Sequence, residues 1–287
     1  MINIRGTVIS LHPLFVLVML ASVITGRFLE LITLFIIVFI HELGHAFAAA
    51  ALGCKVRSIQ MLPFGGVAVI EENGGMTALK EITIALAGPL QNVIMIGLAL
   101  LCKTLGLGEA AFLDYIIQGN MMIALFNLLP VLPLDGGKVL QAAISLVAPY
   151  HATLLWASRI GIVFSLIMVG YSLLPLLNGG GIQLNLLMIG MFLAYSNIED
   201  LRNVHYRFLR FLVQRSELYE QSPESIGTAQ PIVADSAKPL SDIMRLFKRE
   251  KYHLIYVMNR RGSLMAVVPE QRVISSFFST QDPLLYS

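Results

Sequence analysis

The chain has 287 residues, 56% of them hydrophobic and only 13% charged, with a formal net charge of +2. Soluble domains carry about 25% charged residues, so this composition excludes an ordinary soluble enzyme and indicates a polytopic membrane protein with a modest polar appendage. Residues 201–287 hold twelve Lys/Arg and eight Asp/Glu, against eight Lys/Arg in all that precedes them. Those basic residues lack interleaved aromatics on a platform, which excludes a nucleic-acid partner. Cys54 and Cys102 have no CxxC spacing and read as packing residues, not as a disulfide framework. The first apolar stretch has a weakly basic start at Arg5 and no small-residue cleavage site, so it reads as an anchor and not as a removable signal.

In chain order, residues 2–10 are β-branched and of mixed polarity, a strand or an interfacial segment. Apolar spans follow at about 11–26 and 30–52. Residues 55–75 are apolar but broken by Pro63, Gly65, Gly66 and a later glycine pair, which predicts strands. Strand at membrane depth needs shielding by protein or a water-filled cavity, so this stretch reads as a re-entrant β hairpin. Span three, about 81–103, contains AGPLQN, whose Pro89 and Asn92 need satisfying by neighbours. Span four begins near Tyr115 and ends in FNLLPVLPLDGG at 126–137; spans five and six cover about 153–177 and 182–198.

Six spans put both termini on one side. With that side cytoplasmic, Arg5, Lys55, Arg57, Lys80, Lys138 and Arg159 lie inside, and only Arg27 and Lys103 lie outside, as the positive-inside rule requires. Arg202, Arg207, Arg210 and Arg215 then form a basic segment that reads as a topology anchor and solvated helix face. A polar linker at about 217–230 leads to a β-α-β-β-α pattern: IVADS, PLSDIMRLFKREK, YHLIYVMN, SLMAVV and EQRVISSFFS. The expected fold is mainly α: a six-span helical membrane domain over 1–200, a basic juxtamembrane segment and linker over 201–226, and a small α+β domain over 227–287.

The second span carries His41-Glu42-Leu43-Gly44-His45. Each ionisable group in a bilayer core costs at least about 2.5 kcal/mol, and a bound metal ion supplies the offset. At about 100° per residue the three ionisable side chains fall within an arc of roughly 100°. Both imidazoles then reach one ion and the carboxylate flanks it, which is the HExxH logic of zinc peptidases: two ligands and a general base. A catalytic zinc takes a third protein ligand and keeps an open position. Asp135 is the candidate, since Pro130 and Pro133 break helical pairing before it and Gly136-Gly137 let the backbone turn after it. Asn127, Gly65, Gly66 and Pro133 are candidate substrate-binding residues. His12, His151, His205 and His253 fall outside ligand spacing and read as surface or structural, and Glu71 and Glu72 as solvated at a membrane edge.

HELGH in one span with NLLPVLPLDGG in a later one resembles the site-2 protease family of intramembrane zinc metalloproteases, and PFGGV and AGPLQN extend the resemblance over roughly residues 1–200. It implies one Zn2+ per chain on His41, His45 and Asp135, with Glu42 activating water. The tail resembles a single CBS-type repeat, and six spans followed by one such repeat are similar to the family branch of endospore formers. That branch implies a membrane-tethered sporulation sigma-factor precursor as substrate, inhibitory membrane partners, and the outer forespore membrane with termini in the mother cell. A lone repeat also implies a homo-oligomer and a nucleotide site. Pro269 and Arg272 stand where such repeats carry a ribose-binding Ser/Thr and Asp, and they depart from that pattern. A membrane zinc transporter using the same His and Asp ligands is the competing reading. A catalytically dead scaffold is disfavoured because every ligand is present.

Overall fold

The computed structural model describes residues 2–4, 7–11, 13–54, 56–62, 65–70, 76–221 and 229–281. The tip of the expected hairpin, Pro63 and Phe64, lies outside the described residues, as do His12, Glu71 and Glu72. The chain divides into two compact units, Met1–Pro130 with Leu134–Val139, and Val131–Pro133 with Leu140–Ser287.

The first unit opens with β1 (Ile2–Ile4) and β2 (Thr7–Leu11), then α1 (Pro13–Ile24) and α2 (Phe28–Ala51). Within the 55–75 stretch, β3 (Val56–Leu62) and β4 (Gly65–Ile70) are the strands its β-branched residues favour, and they pair antiparallel. β2 joins β3 in parallel, giving one sheet of order β1-β2-β3-β4. Parallel neighbours need a long crossover, and α1 with α2 provides it. The opening residues are therefore strands.

Two more helices complete this unit, α3 (Ala78–Thr104) and α4 (Ala110–Asn127), and α5 (Asp135–Val147) begins in it. Thr77 caps α3 by accepting from the Lys80 backbone N–H at 3.3 Å, Glu81 sits in the first turn and Lys103 in the last, each matched to the helix dipole. Small residues let the helices close up. A Cβ on Gly44 would stand 2.6 Å from Gln91 Cγ and 2.7 Å from the Ala87 carbonyl oxygen, so α2 and α3 touch backbone to backbone there. Gly119 of α4 instead receives the side chains of Ile37 and Leu34, whose methyl groups would lie 3.1 and 3.2 Å from an added Cβ. The chain after Asn127 leaves the helix and re-enters one at Asp135, and a Cβ on Gly136 would lie 2.2 Å from the Leu128 carbonyl oxygen. The 126–137 stretch is thus the end of one helix and the start of another; the glycine pair that reads as a turn opens α5.

The second unit contains α6 (Tyr150–Leu173), a short 3-10 turn (Leu174–Asn178), α7 (Leu184–Arg202), α8 (Val204–Gln221), and then β5 (Ala229–Asp235), α9 (Leu240–Met244), β6 (Tyr252–Met258), β7 (Leu264–Pro269) and α10 (Glu270–Gln281). α6 and α7 pack at Gly161 and Gly190, where added side chains would strike Asn197 and Val169. Asn197 donates to the carbonyls of Leu193 and Leu132, at 2.8 and 2.6 Å. The terminal sheet has order β5-β6-β7, with β5 and β6 parallel and β6 and β7 antiparallel. Its element order is the expected β-α-β-β-α, although α9 is a single turn and not the full length of PLSDIMRLFKREK. The core joins Leu154 of α6, Val204, Phe208 and Leu212 of α8, Ile232 and Ala234 of β5, and Ile243, Phe247, Ile255 and Ile274 beyond. Val204, Phe208, Leu212 and Arg215 recur at helical spacing and are all buried, so α8 turns a face inward. Arg215 is therefore inside the protein and not on a solvated basic face.

The protein is mainly helical. Three of its helices, Phe28–Ala51, Ala78–Thr104 and Tyr150–Leu177, are long and apolar enough to cross a membrane among the described residues, and exposed apolar side chains such as Ile36, Phe47, Leu98 and Ile167 line them.

Candidate metal centre

Two imidazoles and one carboxylate meet inside the first unit. His41 and His45 lie one turn apart on α2, so their rings stack on one face, with centroids 4.8 Å apart and an edge-to-face tilt of 84°. Asp135, the first residue of α5, brings its Oδ2 to 3.1 Å from His41 Nε2 and 3.0 Å from His45 Nε2. The two Nε2 atoms are 3.2 Å apart. All three residues are buried. A distant acid therefore does fold onto the histidine pair.

The other ring nitrogens are engaged within the protein. His45 Nδ1 donates to the Ile84 carbonyl oxygen at 2.7 Å, and His41 Nδ1 faces the Asn92 amide oxygen at 2.6 Å. Nε2 is thus the nitrogen each ring turns toward Asp135. Lys138 Nζ lies 3.2 Å from Asp135 Oδ1, the carboxylate oxygen that the imidazoles do not meet. Glu42 is buried on the same helix, 100° round from His41 and about 60° from His45 by helical geometry.

These residues fit a zinc ion. The donor set is two neutral-imidazole nitrogens and one carboxylate oxygen, a three-ligand combination that leaves one tetrahedral position open. Tetrahedral bonds of about 2.0–2.1 Å place ligand atoms roughly 3.3 Å apart, close to the separations of 3.0–3.2 Å here. Gly88 of α3 supplies a second indication. A Cβ at that position would lie 2.3 Å from His45 Nε2 and 2.7 Å from His41 Nε2. The helix has no side chain where both ligand nitrogens point, so a cradle remains beside them.

Not every candidate joins this cluster. Asn127 ends α4, and its Nδ2 donates to the Ile123 carbonyl oxygen at 3.0 Å, within its own helix. Gly65 and Gly66 open β4, and Pro133 follows a cis peptide bond after Leu132. Residues that spacing did not mark as functional are Gly88, Asn120, Lys138 and the Ile84 carbonyl. The only advance sign was polarity: Asn92 in an apolar span had to find a partner.

Comparison with known proteins agrees with this geometry. Residues 29–107 and 95–168 match the sequence profile of peptidase family M50. The chain is 28% identical to Stage IV sporulation protein FB of Bacillus subtilis over 271 residues, covering 94% of this chain and 91% of that protein. It is 29% identical over 238 residues to a zinc metalloprotease of Methanocaldococcus jannaschii, covering 77% of this chain and 66% of the other. Among solved structures it is similar to the site-2 protease from Methanocaldococcus jannaschii, with a TM-score of 0.54, 29% sequence identity, and coverage of 70% of this chain and 94% of that one.

Proposed function

This chain belongs to peptidase family M50 and is a site-2 type zinc metalloprotease of the membrane; from that premise we propose that it cleaves a membrane-tethered precursor protein at a zinc ion held by His41, His45 and Asp135, with Glu42 as the general base. The observation that carries the assignment is the convergence of the two Nε2 atoms and the Asp135 carboxylate within hydrogen-bond distance, each ring having its other nitrogen already engaged.

Zinc held by these residues supplies a Lewis acid that activates water and polarises the scissile carbonyl. Glu42 takes a proton from the attacking water and passes it to the leaving amide nitrogen. A transmembrane substrate helix hides its carbonyls in its own hydrogen bonds, so it must be extended first. β4 stands at the end of its sheet's order, and an extended substrate would add to its outer edge. Gly65 and Gly66 let that backbone approach closely, and we assign Asn127 and Pro133 to holding the chain near the cleavage point.

Similarity to a sporulation protein along nearly the whole chain, C-terminal module included, supports a sporulation sigma-factor precursor as the substrate. We place the enzyme in the outer forespore membrane, with six crossings and both termini in the mother cell. In this reading 1–200 is the protease domain, 201–226 the juxtamembrane segment and linker, and 227–287 a CBS-like regulatory module that pairs with a second copy. A zinc carrier is not favoured, because the chain belongs to a family of peptidases.

Co-expression with a candidate precursor tests the proposal. Wild-type enzyme is expected to shorten it, and Glu42→Gln is expected to bind zinc yet leave it intact. Cleavage by Glu42→Gln at the wild-type rate would remove Glu42 as the base.

A further inference from the structure

The ring of His41 is held differently from that of His45, and the difference exposes residues with no role so far. His45 Nδ1 rests on a backbone carbonyl, that of Ile84. His41 Nδ1 rests on a side chain, Asn92 of α3, whose amide continues to Asn120 of α4 and from there to the Ile116 carbonyl. The links measure 2.6, 2.9 and 2.8 Å. Neither asparagine has any exposure to solvent.

We propose that Asn92 and Asn120 are positioning residues of the metal centre: a two-amide relay that keeps the proton of His41 on Nδ1 and so aims its Nε2 lone pair at the ion. The inference rests on the zinc reading of His41, His45 and Asp135.

The polarity of the relay follows from its far end. A backbone carbonyl only accepts, so Asn120 must turn its Nδ2 to Ile116 and its Oδ1 to Asn92. Asn92 must then offer Nδ2 to Asn120, which leaves its Oδ1 facing the imidazole. An amide oxygen also only accepts, so His41 Nδ1 carries the hydrogen. Reversing Asn92 would set two oxygens against each other where neither side chain reaches solvent. A carbonyl on one turn of α4 thereby dictates which nitrogen is free on α2. The partner of a ligand imidazole fixes its tautomer and orientation in this way, and losing it costs roughly 10–100-fold in metal affinity. His45 needs no such relay, so a change at Asn92 acts on one ligand alone.

The test uses the purified full-length chain in detergent. Zinc affinity is measured by chelator competition, and ligand geometry by the visible bands of the cobalt-substituted protein. Asn92→Leu is expected to weaken zinc about 10–100-fold and to shift the cobalt bands. Asn92→Asp, which keeps an acceptor on Nδ1 but sets its second oxygen against Asn120 Oδ1, is expected to restore both in part. Asn120→Leu frees Asn92 to turn and is expected to give a smaller loss of the same kind; it carries the test if Asn92→Leu does not fold. Unfolding of the zinc-free protein separates a packing role. If Asn92→Leu lowers that stability but leaves zinc affinity and the cobalt spectrum unchanged, while the wild type binds zinc, the relay is overturned alone. A wild type that takes up no zinc overturns the metal centre and the relay with it.

Discussion

Among the described residues two buried carboxylates, Asp135 and Glu270, meet imidazoles, and they are held in opposite ways. Glu270, at the start of α10, accepts from Arg215 Nε at 2.6 Å and Nη2 at 2.9 Å, and from His253 Nδ1 and the His253 backbone N–H at 2.8 and 2.9 Å. His253 Nε2 in turn accepts from the Lys248 backbone N–H, and its ring stacks on Phe247. Arg215 also donates to the carbonyls of Lys248, Arg249 and Lys251. The cluster contains its own cation and uses both nitrogens of the imidazole. At Asp135 the two rings each spend one nitrogen on the protein and turn the other toward the acid. An acid beside an imidazole is therefore a structural clamp where the ring's far nitrogen accepts, so that an N–H faces the acid beside a buried guanidinium, and a ligand set where the far nitrogens donate, so that two lone pairs converge with the carboxylate.

The largest effect should come from breaking the ligand set. Asp135→Asn is expected to reduce zinc to near zero per chain, with no detectable cleavage, as metal analysis of the purified protein would show. Gly88→Ala tests the cradle without touching a ligand. Its methyl group would occupy the point both Nε2 atoms face, so zinc content and activity should fall together. Gly97→Ala on the same helix, where an added Cβ meets nothing within 4 Å, should change neither.

Breaking the clamp should cost stability and spare the ligands. Arg215→Met leaves Glu270 buried without its cation and should destabilise the C-terminal module by about 3–5 kcal/mol, whereas Arg215→Met with Glu270→Leu should recover most of the loss. Hydrogen exchange over residues 229–281 in the full-length protein measures both. Acid offers a milder probe. Burial pushes the Glu270 carboxyl up, but the hydrogen bonds from His253 and Arg215 outweigh it and hold the group below the ordinary glutamate value. A depressed carboxyl stabilises the fold fully above its unfolded value, near 4.5, and loses that contribution as pH falls further. Module protection should stay level from neutral pH to that point and decline below it, with a weaker decline in Glu270→Gln.

The cluster of His41, His45 and Asp135 was legible in the sequence because its signals are local. HELGH shows its geometry in five residues, and Asp135 stands out between prolines and glycines in an apolar stretch. The clamp was not legible. Arg215 reads as one more arginine beside Arg202, Arg207 and Arg210, and its acid is 55 residues further on. His253 reads as structural and is so, but its partners belong to tertiary packing. The relay lay between these extremes: Asn92 announced a need for a partner, while Asn120, 28 residues on, became visible only when α3 met α4. The order of the C-terminal elements followed from hydrophobic periodicity, and the short α9 did not, because Arg245, Lys248 and Arg249 suit a helix that the local packing ends.

Helix α6 carries a mechanical consequence. Its first turn is built into the terminal module, with Leu154 in the shared core and the Tyr150 N–H bonded to the Phe247 carbonyl at 2.9 Å, while the rest of the same helix is apolar enough to lie in lipid. At 1.5 Å per residue its 24 residues make a rod of about 36 Å. A sideways push on the terminal sheet is therefore applied to one end of a lever whose other end is apolar enough for lipid, along one unbroken helix.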